Sequence, residues 1–181
     1  MSKQSIITKS TVICYKIRFK ESSLWADITI DENDNAGRLQ IASDFGDWQY
    51  YWGSCGESFK KFLIGLDIHY TAGKFGADRW FDLDKTIALL KSQVEEYLSY
   101  EGYLSKTNLK TLKEKLSAEI KILEHEVSCK DEFIHKMWDS EELIKMFDSS
   151  PDIVTGIEPL FQRFWDEIWS VFVQKLKKEI L

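Results

Sequence analysis

The chain has 181 residues, of which 44% are hydrophobic and 14% aromatic, and it carries a net charge of −6. This composition supplies enough apolar surface for a packed core and argues against disorder along the whole length. The acidic balance argues against a general electrostatic grip on nucleic acid, which needs a basic face. No apolar run approaches the ~20 residues that span a bilayer, and residues 1–10 lack the apolar core of a secretory signal.

The first third of the chain predicts an antiparallel meander. Apolar and polar residues alternate from Val12 to Phe19 and again from Leu24 to Ile30, which is the period of a strand with one buried face. Polar loop residues at 31–37 and a turn at 44–47 separate two further runs. The predicted strands are 12–19, 24–30, 38–43 and 48–52.

The remainder of the chain predicts helices, because apolar residues recur there at three-and-four spacing. Asp82 is a candidate N-cap, and Pro159 suits the first turn of the last helix. The predicted helices are 58–66, 82–101, 107–127, 128–149 and 159–181. The spacing leaves open whether helices 107–127 and 129–149 are continuous.

These elements predict an α+β fold, in which a small antiparallel sheet of three or four strands is followed by an α-helical bundle. Residues 1–76 are expected to form the meander with its covering helix. Residues 77–181 are expected to form the bundle, packed with the sheet as one compact unit, and the segment 73–79 is the predicted joint between them.

The stretch 43–53, S-D-F-G-D-W-Q-Y-Y-W-G, is unusually aromatic. Strand alternation puts Trp48, Tyr50 and Trp52 on one face and Tyr51 on the other. Three interpretations are open: a buried core face, a protein-binding surface, or a platform for single-stranded nucleic acid. Stacked bases also need nearby cations, and residues 39–59 contain none, so the core interpretation is favoured and the protein-binding surface comes second.

Catalytic and metal motifs are sparse. Asp44, Asp47 and His69 together offer the one set of groups for an enzyme or a small-ligand site, but no nucleophile motif accompanies them. The loop 31–37 resembles the start of a calcium loop, yet Ala36 and Ala42 stand where that loop needs glycine and a bidentate glutamate. We expect no catalytic residue, no cofactor and no bound metal. Three scattered cysteines with no C-x-x-C pair are expected to be reduced.

Acidic residues cluster late in the chain. Between Asp139 and Glu158 the sequence has six acids and one base, Lys145. Carboxylates on a rigid helical frame can imitate a phosphate backbone, and a solvated helix face is the simpler alternative. The acids singled out for partner binding are Glu141, Glu142 and Asp148.

The last predicted helix has an apolar face that is too broad for an exposed helix. It is expected to be buried in the bundle, and a residual exposed patch would predict a homodimer through this helix.

The residues from Ser43 to Phe75, SDFGDWQYYWG followed by SFKKFLIGLDIHYTAGKF, resemble a segment of small accessory proteins of bacteriophages and prophages. The shared pattern is an S-D-aromatic-G-x-aromatic strand, a tryptophan and a short helix. The resemblance implies a phage or mobile-element origin and an early accessory role. Such proteins often act by binding host machinery, including defence systems such as CRISPR–Cas.

The leading hypothesis is therefore a non-enzymatic protein in the cytoplasm of the host bacterium that binds and inhibits a host protein with a basic surface. No direct nucleic-acid or membrane contact is expected. The predicted partner-binding residues are Asp44, Asp47, Trp48, Tyr51, Glu141, Glu142 and Asp148. Two alternatives stay open: an enzyme or ligand-binding protein that uses Asp44, Asp47 and His69, and a single-strand binder that uses Trp48, Tyr50 and Trp52.

Overall fold

A computed structural model of the chain describes residues 5–100, 106–147 and 151–180. The chain divides into two compact units. A sheet unit contains residues 5–79 and 157–180, and a helical unit contains residues 80–156 with the two gaps just given. The helical unit is thus an insertion in the sequence of the sheet unit, and each unit has its own hydrophobic core.

The sheet is the predicted antiparallel meander. Its four strands lie in chain order, and each pairs with the next. The α+β prediction and the alternation of buried and exposed residues are confirmed: Ala26, Ile28 and Ile30 are at most 1% exposed. The strands are β1 (Ile13–Arg18), β2 (Trp25–Asn33), β3 (Ala36–Ser43) and β4 (Gly46–Trp52).

The loop predicted at 31–37 is shorter than expected. Strands β2 and β3 continue to the pair Asn33–Ala36, so only Asp34 and Asn35 form the turn. Asp34 takes a positive φ of 53°, which short polar side chains tolerate better than most. The sequence pattern showed the polar residues of this hairpin but not how far the strand pairing extends into them.

Two short helices cover one face of the sheet beside β4. The helix α1 (Phe59–Ile64) corresponds to the predicted helix 58–66. The second, α2 (Ile68–Phe75), was not predicted. Asp67 caps it by accepting a hydrogen bond from the main-chain N–H of Tyr70 at 2.9 Å, and Gly76, with a φ of 74°, ends it. The sequence signal for this helix was the spacing between the capping Asp67 and Gly76, which is the length of one short helix.

The last helix lies against the sheet, and its expected membership of the helical bundle is wrong. Phe161, Phe164, Phe172 and Leu176 are at most 1% exposed and belong to the core of the sheet unit. The helix has three parts: α6 (Pro159–Phe164), a π-helical turn (Trp165–Trp169) and α7 (Ser170–Ile180). Most of its apolar face is buried within the chain, whereas Leu160 and Val171 remain 45% and 40% exposed.

A polar network fixes the end of this helix to the sheet unit. The hydroxyl of Tyr15 donates to the carboxylate of Glu179 at 2.6 Å. Lys175 and Lys60 lie 3.2 and 3.6 Å from the same carboxylate. Burial of the Tyr15 ring and the bond to Glu179 raise the pKa of Tyr15, while the hydrogen bond from Tyr15 and the pair with Lys175 lower the pKa of Glu179.

The helical unit begins and ends at a two-residue strand pair. Trp80 pairs with Gly156 and Phe81 with Thr155, so the two ends of the inserted segment lie side by side. In the sheet unit, the main-chain N–H of Glu158 donates to the carbonyl of Ala77 at 2.7 Å. The elements of the helical unit are β5 (Trp80–Phe81), α3 (Leu83–Tyr100), α4 (Lys106–Glu126), α5 (Lys130–Asp139), a 3₁₀ turn (Ile144–Met146) and β6 (Thr155–Gly156).

The start of α3 follows the sequence, whereas the later helix boundaries do not. Asp82 caps α3 by accepting from the N–H of Lys85 at 3.0 Å, as predicted. Helices α4 and α5 are separate. Cys129 is the N-cap of α5 rather than Ser128, whose N–H and hydroxyl both donate to Glu132 at 2.8 Å. The helix expected to reach residue 149 ends at Asp139.

Close packing between β3 and α1 generates a test of this architecture. A Cβ added at Gly37 would lie 2.4 Å from the ring of Phe59, and that ring is fully buried. We therefore expect Gly37→Ala to lower the free energy of unfolding by about 1–3 kcal/mol, measured by urea denaturation. In Gly53→Ala, the matched control, the new Cβ would meet its nearest atom at 3.9 Å. Equal stability of the two variants would contradict the packing described here.

Candidate functional site

The aromatic strand β4 has two different faces. Trp48 packs edge-on against Phe161 with ring centroids 5.0 Å apart. Trp52 is 5% exposed, and its Nε1–H donates to the hydroxyl of Tyr70 at 3.0 Å. Tyr50 stands on the same side, 4.8 Å from the Trp52 ring. These three rings belong to the core side of the sheet, so they are not a platform for unpaired bases.

The opposite face of β4 is open to solvent and carries two of the predicted site residues. Tyr51 is 57% exposed, and Asp47 is exposed on the same side of the strand. Gln49 lies between them, and its amide accepts a hydrogen bond from Gln40 of β3 at 3.2 Å. The structure thus places Asp47 and Tyr51 on one face of the sheet and Trp48 on the other.

Asp44 has a local role in the hairpin. Its carboxylate accepts a hydrogen bond from the main-chain N–H of Trp25 at 2.8 Å, and its own N–H donates to the Trp25 carbonyl at 3.3 Å. The side chain therefore fixes the β3–β4 turn to the start of β2 while remaining at the surface.

The rest of the open sheet face is polar and internally paired. Asp27 accepts a hydrogen bond from Lys16 at 3.0 Å and forms an ion pair with Arg18 at 2.7 Å, and these interactions with Lys16 and Arg18 lower the pKa of Asp27. Arg18 also lies over the ring of Trp25. A shallow groove of about 390 Å³ runs across this face between Asp27 and Asp47.

His69 does not meet the two aspartates with which it was grouped. It is exposed on α2, and α2 packs on the core side of the sheet, where Phe75 contacts Trp52. Asp47 points to the opposite side. The arrangement required by the enzyme alternative, in which Asp44, Asp47 and His69 converge, is therefore absent from the structure.

Glu141 and Glu142 differ although they are adjacent. The Glu142 side chain is only 14% exposed and accepts from Lys115 at 2.8 Å and Lys145 at 3.2 Å. These two hydrogen bonds lower the pKa of Glu142. Glu141 is exposed. Asp148, the third acid predicted with them, lies outside the described residues.

The net charge of the protein is concentrated in the helical unit. Residues 80–156 contain sixteen acidic and ten basic residues, which gives −6, whereas the rest of the chain contains fourteen of each. Several carboxylates of this unit are exposed and have no hydrogen bond or ion pair within the described ranges. They are Asp84, Glu95, Glu96, Asp131 and Glu141.

Asp84 and Asp131 were not singled out by the sequence, which drew attention to the denser acidic run at 139–158. Both follow the N-cap of a helix closely and stand in its first turn. Their position in the first helical turn could have been predicted from the sequence. An acid at that position also stabilises the helix through its dipole, so the position alone does not indicate a binding role.

Fold and surfaces together define an α+β protein with an electrically balanced sheet unit and an acidic helical insertion. Residues 5–179 match the model of a phage family, Phage_phiTE_072, and the chain belongs to this family. No curated protein and no solved structure matches it. Within the described residues, no helix has the length and apolar character needed to cross a membrane.

The contrast between the two adjacent glutamates predicts a pH effect. Because the folded-state pKa of Glu142 is lowered, its contribution to stability is present above the unfolded-state pKa and is lost as the pH falls through the folded-state pKa. We expect Glu142→Gln to reduce the free energy of unfolding at pH 7 by up to about 1 kcal/mol. We also expect it to flatten the loss of stability below about pH 5.

The measurement is urea denaturation of the wild type and both variants from pH 7 to pH 3. Glu141→Gln is the matched control, since it removes the same charge one residue away, and it should follow the wild type. A Glu142→Gln profile that is parallel to the wild-type profile would show that the two lysine contacts do not stabilise the folded state.

Proposed function

We propose that this phage protein acts by binding a host protein with a basic surface, and that the helical unit supplies the acidic surface for that contact. The proposal puts the protein in the cytoplasm of the infected bacterium, where binding, and not catalysis, would inhibit the target. The observation that carries it is the concentration of the whole net charge, −6, in residues 80–156.

The distribution of charge favours the helical unit over the sheet. A balanced unit creates little field at a distance, whereas an excess of six carboxylates raises the association rate with a cationic partner. Five of the carboxylates are exposed and unpaired in the described ranges, as given above, and so can meet cations of a partner. Glu141 is the member of this set that the sequence also predicted.

Rigid helices are a suitable frame for such charges. Glu95 and Glu96 stand on α3, an 18-residue helix, and Asp131 stands in the first turn of α5. A helix backbone that is already ordered loses little conformational freedom on binding, which leaves more of the interaction energy for affinity. Groove-shaped basic surfaces occur in proteins that bind nucleic acid. Host complexes that handle nucleic acid, including CRISPR–Cas defence systems, are therefore the class of target that we propose.

A set of charge-neutralising variants tests this proposal. The helical variant is E95Q/E96Q/D131N/E141Q, and the matched sheet variant is E21Q/D31N/D34N/E57Q, which removes four exposed charges from the other unit. We expect the helical variant to bind the partner about tenfold more weakly, because four rim charges at a few tenths of a kcal/mol each amount to about 1.4 kcal/mol. The sheet variant should bind within about threefold of the wild type.

The partner is obtained by passing host lysate over the immobilised wild-type chain at low salt and eluting at about 0.5 M salt, where exposed charges are screened. Its affinity for each variant is then measured by titration calorimetry after purification. A double-stranded oligonucleotide that competes with the chain for this partner would support occupation of a nucleic-acid groove. Equal losses in the helical and sheet variants, or binding that is indifferent to salt, would refute the proposal.

A further inference from the structure

One edge of the sheet has unused main-chain hydrogen-bonding groups. Among the described residues, strand β1 pairs with β2 alone. The N–H of Phe19 donates to the carbonyl of Leu24 at 3.3 Å, so the main-chain groups of Phe19 point toward β2. In antiparallel strands, the main-chain groups of successive residues point alternately toward and away from the partner strand. The N–H and C=O groups of Cys14, Lys16 and Arg18 therefore point outward, and within the described residues no element pairs with them.

A groove runs along this edge. It has a volume of about 480 Å³ and lies between β1 and helix α7. Its floor is apolar, because Tyr15 packs edge-on against Phe172 with ring centroids 5.3 Å apart. Val171, which is 40% exposed, stands at its wall. Such a groove can accept an extended segment as an added strand. The main chain of the segment would form hydrogen bonds with the strand edge, and every second side chain would enter the apolar groove between strand and helix.

The charge of the groove indicates the chemistry of the segment. Its lining contains three cations and no carboxylate. Lys175 is paired with Glu179 at 3.2 Å, so the excess positive charge comes from Lys16 and Arg18. Lys16 and Arg18 share the single carboxylate of Asp27 on the open face of the sheet, so this part of the edge keeps a net positive charge. A neighbouring strand with acidic side chains on the open face would complement it.

We propose that the β1 edge captures an extended segment of a partner protein in which acidic and apolar residues alternate. The acidic side chains would lie beside Lys16 and Arg18 on the open face. The apolar side chains, on the other face of the added strand, would lie beside Tyr15 and Ile17 and contact Val171. Because the edge belongs to the sheet unit, this inference is independent of the acidic helical surface.

A second copy of the chain is a poorer occupant of this edge. In the two-fold arrangement that centres on Lys16, two cationic edges would face each other, and like charges directly opposite are destabilising. Pairing of β1 with the β4 edge of another copy is heterologous and would continue from molecule to molecule, as a closed ring or an open filament. The occupant that we propose is therefore a segment of another protein.

The binding test uses two capped heptapeptides, one alternating valine and glutamate and one alternating valine and lysine. We expect the valine–glutamate peptide to bind at least tenfold more tightly, as measured by chemical-shift titration of the ¹⁵N-labelled chain. The amides of Cys14, Lys16 and Arg18 should shift most and should exchange at least tenfold more slowly with solvent when the peptide is bound. Equal affinity of the two peptides, or no binding of either at millimolar concentration, would overturn the proposal.

Two variants separate edge pairing from charge attraction. Cys14→Pro removes an outward N–H without removing a β1–β2 hydrogen bond, and it should weaken the valine–glutamate peptide at least tenfold, whereas Cys14→Ser, its control, should not. Lys16→Gln keeps the main-chain groups of the edge and removes one open-face cation, so it should weaken the same peptide severalfold. If Cys14→Pro does not fold, Lys16→Gln keeps the proposal testable. Unchanged binding by the folded variants, or a concentration-dependent assembly that Cys14→Pro abolishes, would contradict capture of a partner segment.

Discussion

The aromatic contact between β4 and the last helix is the interaction on which the sheet unit depends. A four-stranded sheet of this size cannot bury one whole face by itself, and the two short helices after it cover only part of that face. Trp48 meets Phe161 and Phe164 at 5.0 and 5.2 Å, although more than a hundred residues separate them along the chain. Contacts so remote in sequence are costly in chain entropy, and close packing of large aromatic rings offsets that cost.

Closing the sheet unit with a remote helix allows a complete second unit to be inserted. The pair Trp80–Gly156 brings the ends of the insertion together, and the bond from Glu158 to the carbonyl of Ala77 joins the flanking residues within the sheet unit. Domains tolerate insertions where the two chain crossings are adjacent. The insertion has its own core, in which Leu116, Phe133 and Leu143 are fully buried.

Local patterns predicted the local features of the fold, and tertiary contacts decided the rest. Strand alternation, the Asp82 cap and the Pro159 start could be read from the sequence because each depends on residues a few positions apart. The last helix was wrongly assigned to the helical bundle. Its broad apolar face indicates that the helix is buried but does not indicate which element it packs against. The same limit applies to the site: the sequence shows six acids at 139–158, but only the fold shows that Lys115 neutralises Glu142 while Glu141 faces solvent.

Charge and packing are divided between the two units. Most aromatic residues of the sheet unit lie in its own core, and its acidic and basic residues are equal in number. Main-chain groups at its β1 edge remain exposed. The helical unit needs no negative charge for its apolar core, and like charges on one unit repel each other, so its excess of six acids carries a cost in stability. A cationic partner would relieve that repulsion, since each of its lysines or arginines would reduce the unit's own negative field. The acidic contact that we propose would therefore use the helical unit, and the contact proposed for the β1 edge would use the sheet unit.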